Sequence, residues 1–154
     1  MLTALTLALT LITGSPAVVE QVPTDPFLAT AIRVVRGDFG PQPEWRMQAY
    51  QRGLRNGVTV RGHVWLTAYY PWEGRSGQVD ARGNPCTLRT AAANRLPYGS
   101  YIWVAEPCQM RQVLDRGAHF NDAIADRRGC SLWADLWLTH EMDTHTTEYA
   151  VIGE

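Results

Sequence analysis

Two aspartates stand where a carboxylate is expected to be held rigidly and partly out of water. Asp115 ends the run "QVLD", and Asp135 interrupts the apolar run "LWADLWL" at residues 132–138. Burying a charge costs far more than burying a methyl group, so such surroundings raise the pKa of a carboxyl. One protonated and one ionised carboxyl can then divide acid–base chemistry between them. The alternative is structural: Asp115 pairs with Arg116 or caps the next turn, and Asp135 accepts backbone hydrogen bonds.

The other ionisable side chains give weaker indications. The stretch "HEMDTH" places His140 and His145 five residues apart, which on a helix is roughly 140° around the axis, so they cannot share a metal ion. We therefore expect no metal site, and no cofactor. His119 lies between the two aspartates and is the histidine we expect to be functional, whereas His63 is expected to be structural. The remaining acids of this region lie in polar stretches, where we expect them to be solvated: Asp80, Asp122 and Asp126.

Length and composition describe one globular domain with a modest extension. The chain has 154 residues, of which 45% are hydrophobic and 19% charged. Its formal net charge of −1 gives no argument for binding nucleic acid or an anionic membrane surface. The sequence leaves the oligomeric state open.

The N-terminus has the pattern of a secretory signal peptide. An apolar stretch at residues 2–12 is followed by Ser15 and Ala17 around Pro16, a small-residue cleavage pattern. The stretch is shorter than the ~20 residues that span a bilayer. We expect residues 1–17 to be removed on export to the periplasm, cell wall or extracellular space, leaving no membrane span. The alternative is an ordinary N-terminal helix.

Three cysteines fit an exported protein with one disulfide and one remaining thiol. Three pairings are open. We favour Cys86–Cys108, because both cysteines follow a proline in a predicted turn, which leaves Cys130 free.

Secondary-structure patterns divide the rest of the chain in two. Residues 18–57 are predicted to be a helical extension, with Asp25 capping a first helix and Gly57 ending a second. Residues 58–154 contain short strands separated by turns, the pattern of a small β-barrel or sandwich. The segment from Asp115 to the strand "LWADLWL" is predicted to be one long loop.

Five motifs in the second part of the chain resemble a known family. In order they are "TAYYP", "TAAANRLPYGSYIWV", "VLDRG", "WADLWL" and "EYAVI", and together they cover about residues 64–152. They are similar to the three-aspartate (3D) domain of membrane-bound lytic transglycosylase A and related wall proteins, and to the barrel of rare lipoprotein A. The resemblance implies a mainly β fold: a six-stranded double-psi β-barrel behind a short helical extension.

The resemblance also implies site residues. Asp115 matches the second family aspartate and Asp135 the third. The first has no counterpart, because Ala92, Ala93 and Asn94 stand in its place, and the loop after Asp115 is longer than in the family. Asn94 is expected to hydrogen-bond substrate in place of the missing aspartate.

The implied activity is cleavage of the β-1,4 bond between MurNAc and GlcNAc in peptidoglycan, giving a 1,6-anhydro product. Asp135 is expected to be the general acid and base and Asp115 to hold the surrounding hydrogen bonds, although the two could exchange roles. Tyr69, Tyr70 and Trp72 could form a sugar platform, with core and rim packing as the alternative. The rival function, from a different class, is a non-catalytic barrel that binds cell-wall glycan. In both, the partner is a peptidoglycan glycan strand.

Overall fold

The computed structural model describes residues 23–153, which begin with two helices. Helix α1 (Pro26–Val35) is capped by Asp25, whose carboxylate accepts a hydrogen bond from the backbone N–H of Leu28 at 2.9 Å. Helix α2 (Glu44–Asn56) ends at Gly57, whose φ of 80° is readily adopted only by glycine. Both helices lie where the sequence predicts them. The predicted signal peptide lies outside the described residues.

Six strands follow and close into a barrel, so the mainly β prediction is confirmed. They are β1 (Val58–Tyr69), β2 (Thr90–Ala92), β3 (Tyr101–Val104), β4 (Gln109–Asp115), β5 (Leu132–Trp137) and β6 (His145–Ile152). Around the barrel the order is β1-β5-β2-β4-β3-β6, and β6 pairs with β1 to close it. The pairs β1–β5 and β2–β4 are parallel and the other four are antiparallel, so the sheet is mixed. The double-psi connection remains a prediction.

Alternation along each strand separates the barrel interior from its outer face. In β5, Leu132, Ala134 and Leu136 are buried in the main core, while Trp133, Asp135 and Trp137 are half-buried on the other face. The main core comprises Val64, Leu66, Ala91, Ala93, Leu96, Ile102, Val104, Val113, Leu132, Ala134, Leu136, Leu138, Tyr149 and Val151. The run around Asp135 therefore has one face in the barrel core and one on the outside, and Asp135 lies on the outer face.

The helical extension packs on the outer face of the barrel, which the sequence does not reveal. Phe27 of α1 stacks on Tyr50 of α2 and meets the edge of Trp103 in β3. Gly53 explains how the helices approach so closely, because a Cβ there would lie 2.4 Å from the Phe27 ring. This second core therefore joins helices and barrel into one packed unit.

Two connections contain short helices. A single turn, α3 (Arg75–Gln78), follows β1, and α4 (Asp122–Arg127) lies between β4 and β5. The prediction of one long loop after Asp115 is therefore wrong in part. Asn121 caps α4 by accepting a hydrogen bond from the backbone N–H of Ala123, at 3.0 Å. Across residues 23–153, the helices are all too short or too polar to cross a membrane.

Candidate functional site: a cleft with two carboxylates

Four neighbouring strands place Asp115, Ala92, Asp135 and Thr67 in one row on the outer face of the barrel. Ala92 of β2 pairs with Asp115 of β4 on one side and with Asp135 of β5 on the other. Thr67 of β1 is the partner of Asp135 on its far side. Paired residues on adjacent strands project to the same face, so the row lies together. The backbones of Asp115 and Asp135 are two strand spacings apart, about 10 Å.

A bulge in β4 brings Asp115 to this face. Val113 pairs with Ala91 and belongs to the interior, but Asp115 pairs with Ala92, so Leu114 is an extra residue between them. In a regular strand without the bulge, residues 113 and 115 would share one face, and Asp115 would point inward with Val113. The bulge instead aims the carboxylate at the outer face, as bulges beside functional sites often do.

Asp115 is buried and held by three donors. Its Oδ2 accepts a hydrogen bond from the Tyr69 hydroxyl at 2.9 Å. Its Oδ1 accepts from the backbone N–H groups of Ala81, at 2.6 Å, and Arg116, at 2.8 Å. Only 6% of the residue is exposed. Asp115 is thus a fixed hydrogen-bond acceptor, because both of its oxygens are held by donors.

Asp80 shapes the loop that supplies one of those donors. Its Oδ1 accepts hydrogen bonds from the backbone N–H groups of Arg82 and Asn84, at 2.8 and 2.9 Å, which closes a tight loop around Ala81. The expectation that Asp80 is solvated is wrong, because only 8% of it is exposed. Asp122 and Asp126, expected to be solvated as well, form ion pairs with Arg95 at the surface.

The surroundings of Asp135 differ from those of Asp115 and raise the pKa of the Asp135 carboxyl. Burial, more than any other cause, raises its pKa from 3.8 to about 7, and the negative charges of Glu73 and Asp115 add to the rise. A hydrogen bond from the Thr67 hydroxyl, 3.0 Å from Oδ1, acts in the opposite direction. Near neutral pH this carboxyl is therefore present in both protonated and ionised forms, which suits proton transfer.

A short hydrogen-bond relay fixes Asp135. The indole Nε1–H of Trp133 donates to Thr67 Oγ1 at 2.9 Å, and the Thr67 hydroxyl donates onward to Asp135 Oδ1. Because the indole can only donate, the hydroxyl oxygen accepts from it and the hydroxyl proton is left for the nearer of two acceptors, Asp135 Oδ1 at 3.0 Å rather than the Ala134 carbonyl at 3.4 Å. Among the described residues, hydrogen bonds reach only the Oδ1 of Asp135, so Oδ2 remains available to a ligand.

The two acids line a cleft of about 630 Å³. One wall is an aromatic pair, Phe120 on Trp133, with ring centroids 4.7 Å apart and planes 7° from parallel. Glu73 and Arg75 line the cleft after β1. A volume of this size fits small-molecule ligands, and an apolar aromatic wall beside convergent carboxylates is typical of binding sites.

The structure gathers some of the predicted site residues in the cleft and leaves others outside it. Tyr69, buried, and His119, exposed, both line the cleft with the two aspartates. Tyr70 and Trp72 stack on each other with centroids 4.7 Å apart, outside the residues that line it. The Tyr70 hydroxyl is further fixed by the backbone N–H of Met142, at 3.0 Å.

Asn94 is occupied by the protein itself. Its side-chain amide donates to the backbone oxygen of Gly117 at 2.8 Å, and its Oδ1 accepts from the N–H of Gly117 at 2.9 Å. This reciprocal pair anchors the start of the loop that carries His119 and Phe120. Its visible role is to position that loop, and its expected contact with substrate stays a prediction.

The sequence reasoning missed Thr67, Trp133 and Phe120. The sequence does indicate Thr67 and Trp133, because each lies two residues from a predicted site residue, Tyr69 and Asp135 respectively. Residues two apart on a strand share one face. Phe120 has no such indication, because only the folded loop brings its ring onto Trp133.

The favoured disulfide is absent, which corrects the Cys86–Cys108 prediction. Cys86 is buried next to Tyr69, and Cys108 is exposed beside Thr30 of α1. All three cysteines are free thiols. Within residues 23–153, no three His, Cys, Asp or Glu side chains are grouped so that they could hold a metal ion.

No protein-family model matches this chain, and its sequence matches no curated protein. The fold and cleft define the class as a closed six-stranded barrel with a paired-carboxylate site.

Proposed function

We propose that the protein is a peptidoglycan lytic transglycosylase in which Asp135 is the general acid and base. One observation carries the proposal: a half-buried carboxyl whose pKa is raised to about 7 lines a cleft large enough for sugar rings. The motifs similar to the three-aspartate domain supply the substrate class. The double-psi form of the barrel belongs to the same proposal.

The reaction needs a single group that first gives and then takes a proton. Protonated Asp135 donates to the glycosidic oxygen, the bond between that oxygen and MurNAc C1 breaks, and its electron pair stays on the departing GlcNAc hydroxyl. The MurNAc O6 then attacks C1 and forms the anhydro ring. The proton of the C6 hydroxyl passes to the Asp135 carboxylate, so the acid is regenerated and no water is consumed.

Asp115 acts on this reaction through charge and position. Both of its carboxylate oxygens accept hydrogen bonds, from Tyr69, Ala81 and Arg116. Asp115 therefore has no oxygen free of hydrogen bonds, whereas Asp135 has Oδ2. Its negative charge helps raise the pKa of Asp135 and would stabilise positive charge that develops at C1. We therefore assign Asp135 the proton transfer and Asp115 the electrostatic role.

The Phe120–Trp133 pair is proposed as the sugar platform. Both rings line the cleft. The Trp133 indole is connected to Asp135 by two hydrogen bonds that share the Thr67 hydroxyl. An apolar ring face packed on this wall would lie next to the acid. This assignment replaces Trp72 in the role, because that residue is 58% exposed outside the cleft lining.

Export completes the proposal, since peptidoglycan lies outside the cytoplasmic membrane. The pattern at residues 1–17 supports secretion to the periplasm or cell wall.

A glycan-binding barrel without catalysis is the second candidate. Alanine occupies the row position between the two acids, at Ala92, and Asn94 is engaged by Gly117. The first aspartate of the resembled family thus has no acidic replacement here. A binder would use the same aromatic wall and need no proton transfer.

Purified protein incubated with murein sacculi distinguishes the two. The transglycosylase releases soluble muropeptides with 1,6-anhydro ends, which mass spectrometry identifies by their mass, one water lower than hydrolysis products. Asp135→Asn should abolish release while sacculus binding persists. Wild-type protein that sediments with sacculi yet releases nothing would favour the binder.

Asp143→Asn is the matched control, because Asp143 is an exposed aspartate outside the residues lining the cleft. It should release products at the wild-type rate. Release by Asp135→Asn at a comparable rate would reject the assignment of the acid.

A further inference from the structure

A second cavity lies between the helical extension and the barrel, away from the carboxylate cleft. It has a volume of about 490 Å³ and shares no lining residue with the cleft. Thr30 and Val34 of α1, Arg46 and Tyr50 of α2, and the first residues of β4 line it. Arg111, at this cavity, precedes Asp115 by four positions along β4, a rise of about 13 Å.

Arg111 is an unusual residue to find there. It is 3% exposed and pairs with Ile102 of β3, which belongs to the barrel core. Its Nη2 donates to the side-chain oxygen of Gln109, a neutral partner. Its Nε and Nη1 have no hydrogen-bond partner among the described residues. A buried guanidinium without a counter-charge is strongly unfavourable, so it calls for an explanation.

A second arginine lines the same cavity. Arg46 is half-buried, its Nη1 donates to Gln42 at 3.0 Å, and its Nε is another buried donor without a partner. Burial, followed by the positive charge of Arg46, lowers the pKa of Arg111 to about 10, so Arg111 still carries its charge at neutral pH. The two cations therefore face one space and repel each other.

No acid compensates this charge within the described part of the chain. The lining contains neither aspartate nor glutamate. Tyr50 stays neutral, because burial raises its pKa above the usual range. The two arginines that line the cavity thus carry positive charge and three buried nitrogen donors without a partner among the described residues, an arrangement that suits a multi-oxygen anion.

Part of the remaining lining is apolar. Besides polar residues, the cavity is lined by five apolar side chains, Val34, Phe39, Leu88, Met110 and Leu138, of which Phe39 and Leu88 are exposed at 48% and 47%. A small inorganic anion would leave this surface uncovered and most of the volume unfilled. An anionic head with an apolar body would satisfy both parts.

We propose that this cavity binds an amphiphilic organic anion, with a carboxylate or phosphate head on Arg111 and Arg46 and an apolar body against Val34, Phe39 and Leu138. The site is independent of the proposed transglycosylase activity. It joins α1, α2 and β4, so the ligand would also tie the helical extension to the barrel.

Titration calorimetry on the full chain tests the proposal with four probes: octanoate, octyl phosphate, octanol and acetate. We expect one equivalent of octanoate or octyl phosphate to bind at least tenfold more tightly than octanol, which lacks the charge, and than acetate, which lacks the body. The tighter of the two anions identifies the head group. Equal binding of octanol and both anions would overturn the proposal.

Substitution of the arginines gives a second, independent readout. Arg111→Met should reduce the affinity for the preferred anion at least tenfold and raise the Tm of the ligand-free protein, because it removes an uncompensated buried charge. Arg46→Met, at a half-buried position on a helix surface, should weaken binding severalfold and keeps the test possible if Arg111→Met fails to fold. Arg128→Met is the matched control, since Arg128 lies exposed over the Trp65 ring outside this cavity. Unchanged affinity in Arg46→Met would contradict the site.

Discussion

Replacing Asp135 by asparagine should make the folded protein more stable at high pH and leave it nearly unchanged at low pH. Asparagine has the same shape, and its Oδ1 can still accept the hydrogen bond from Thr67. It cannot ionise, so it avoids the cost of a charge at this half-buried position. The effect therefore isolates one carboxyl.

The sign follows from the pKa of Asp135, which rises from 3.8 to about 7 on folding. Between these values the folded state keeps a proton that the unfolded state releases, so wild-type stability falls as pH increases through this window. Relative to high pH, the protonated Asp135 contributes its full stabilisation below pH 3.8, and this stabilisation is lost above about pH 7. Integrated from about pH 4.5 to about pH 8.5 and reduced for partial exposure, the change is roughly 2 to 3 kcal/mol.

Urea unfolding of wild type and Asp135→Asn across this pH range measures the quantity directly. The difference in unfolding free energy between the two proteins should grow by that amount in favour of the variant. Asp143→Asn, at an exposed aspartate, should show no such growth. A difference for Asp135→Asn that stays constant with pH would refute a raised pKa at this carboxyl, and with it the proton-transfer role.

Three further predictions concern Thr67, the aromatic wall of the cleft and the loop that carries that wall. Thr67→Val removes the hydroxyl that stabilises the ionised form, so a carbon-13 NMR titration should find the pKa of Asp135 higher by about one to two pH units; an unchanged or lower value would contradict the relay. Phe120→Ala should weaken the binding of chito-oligosaccharide or muropeptide about tenfold by calorimetry, because the ring forms part of the cleft wall. Phe39→Ala, outside the cleft, should not weaken it. Equal effects of the two substitutions would contradict the role of Phe120 as a sugar platform. Asn94→Ala should speed amide hydrogen exchange of Gly117 and lower the unfolding free energy by about 1 to 2 kcal/mol, and exchange at the wild-type rate would show that Asn94 does not anchor the loop.

The sequence predicts the local parts of this fold well, because local interactions determine them. Asp25 and Gly57 mark helix ends through capping and backbone conformation, and both mark real ends. Short apolar runs separated by turn residues locate the strands, including the run around Asp135. These signals need only a few neighbouring residues.

Longer-range features could not be predicted in the same way. The bulge at Leu114 decides which face Asp115 occupies, and it depends on register with β2 rather than on the sequence of β4. Asp80 looks solvated in a glycine-rich stretch, yet its own loop buries it by folding back on its carboxylate. Phe120 meets Trp133 only after α4 shapes the connection between β4 and β5.

The sequence predicts the two acids of the cleft. The sequence points to the two aspartates because each ends or interrupts an apolar run, and the barrel brings them into one row with Ala92 between them. The raised pKa of Asp135 agrees with that reasoning, since burial is its largest cause. The favoured Cys86–Cys108 pairing failed because turn chemistry says nothing about the distance between two thiols.

The pH profile of anhydro-muropeptide release from murein sacculi tests the central claim most directly. If protonated Asp135 is the acid, release should be highest at acidic to neutral pH and fall as pH rises through about 7, and Thr67→Val should move that fall to higher pH. Release that increases through this range, or products that lack the anhydro end, would contradict the assignment of Asp135 as the proton donor in a lytic transglycosylase.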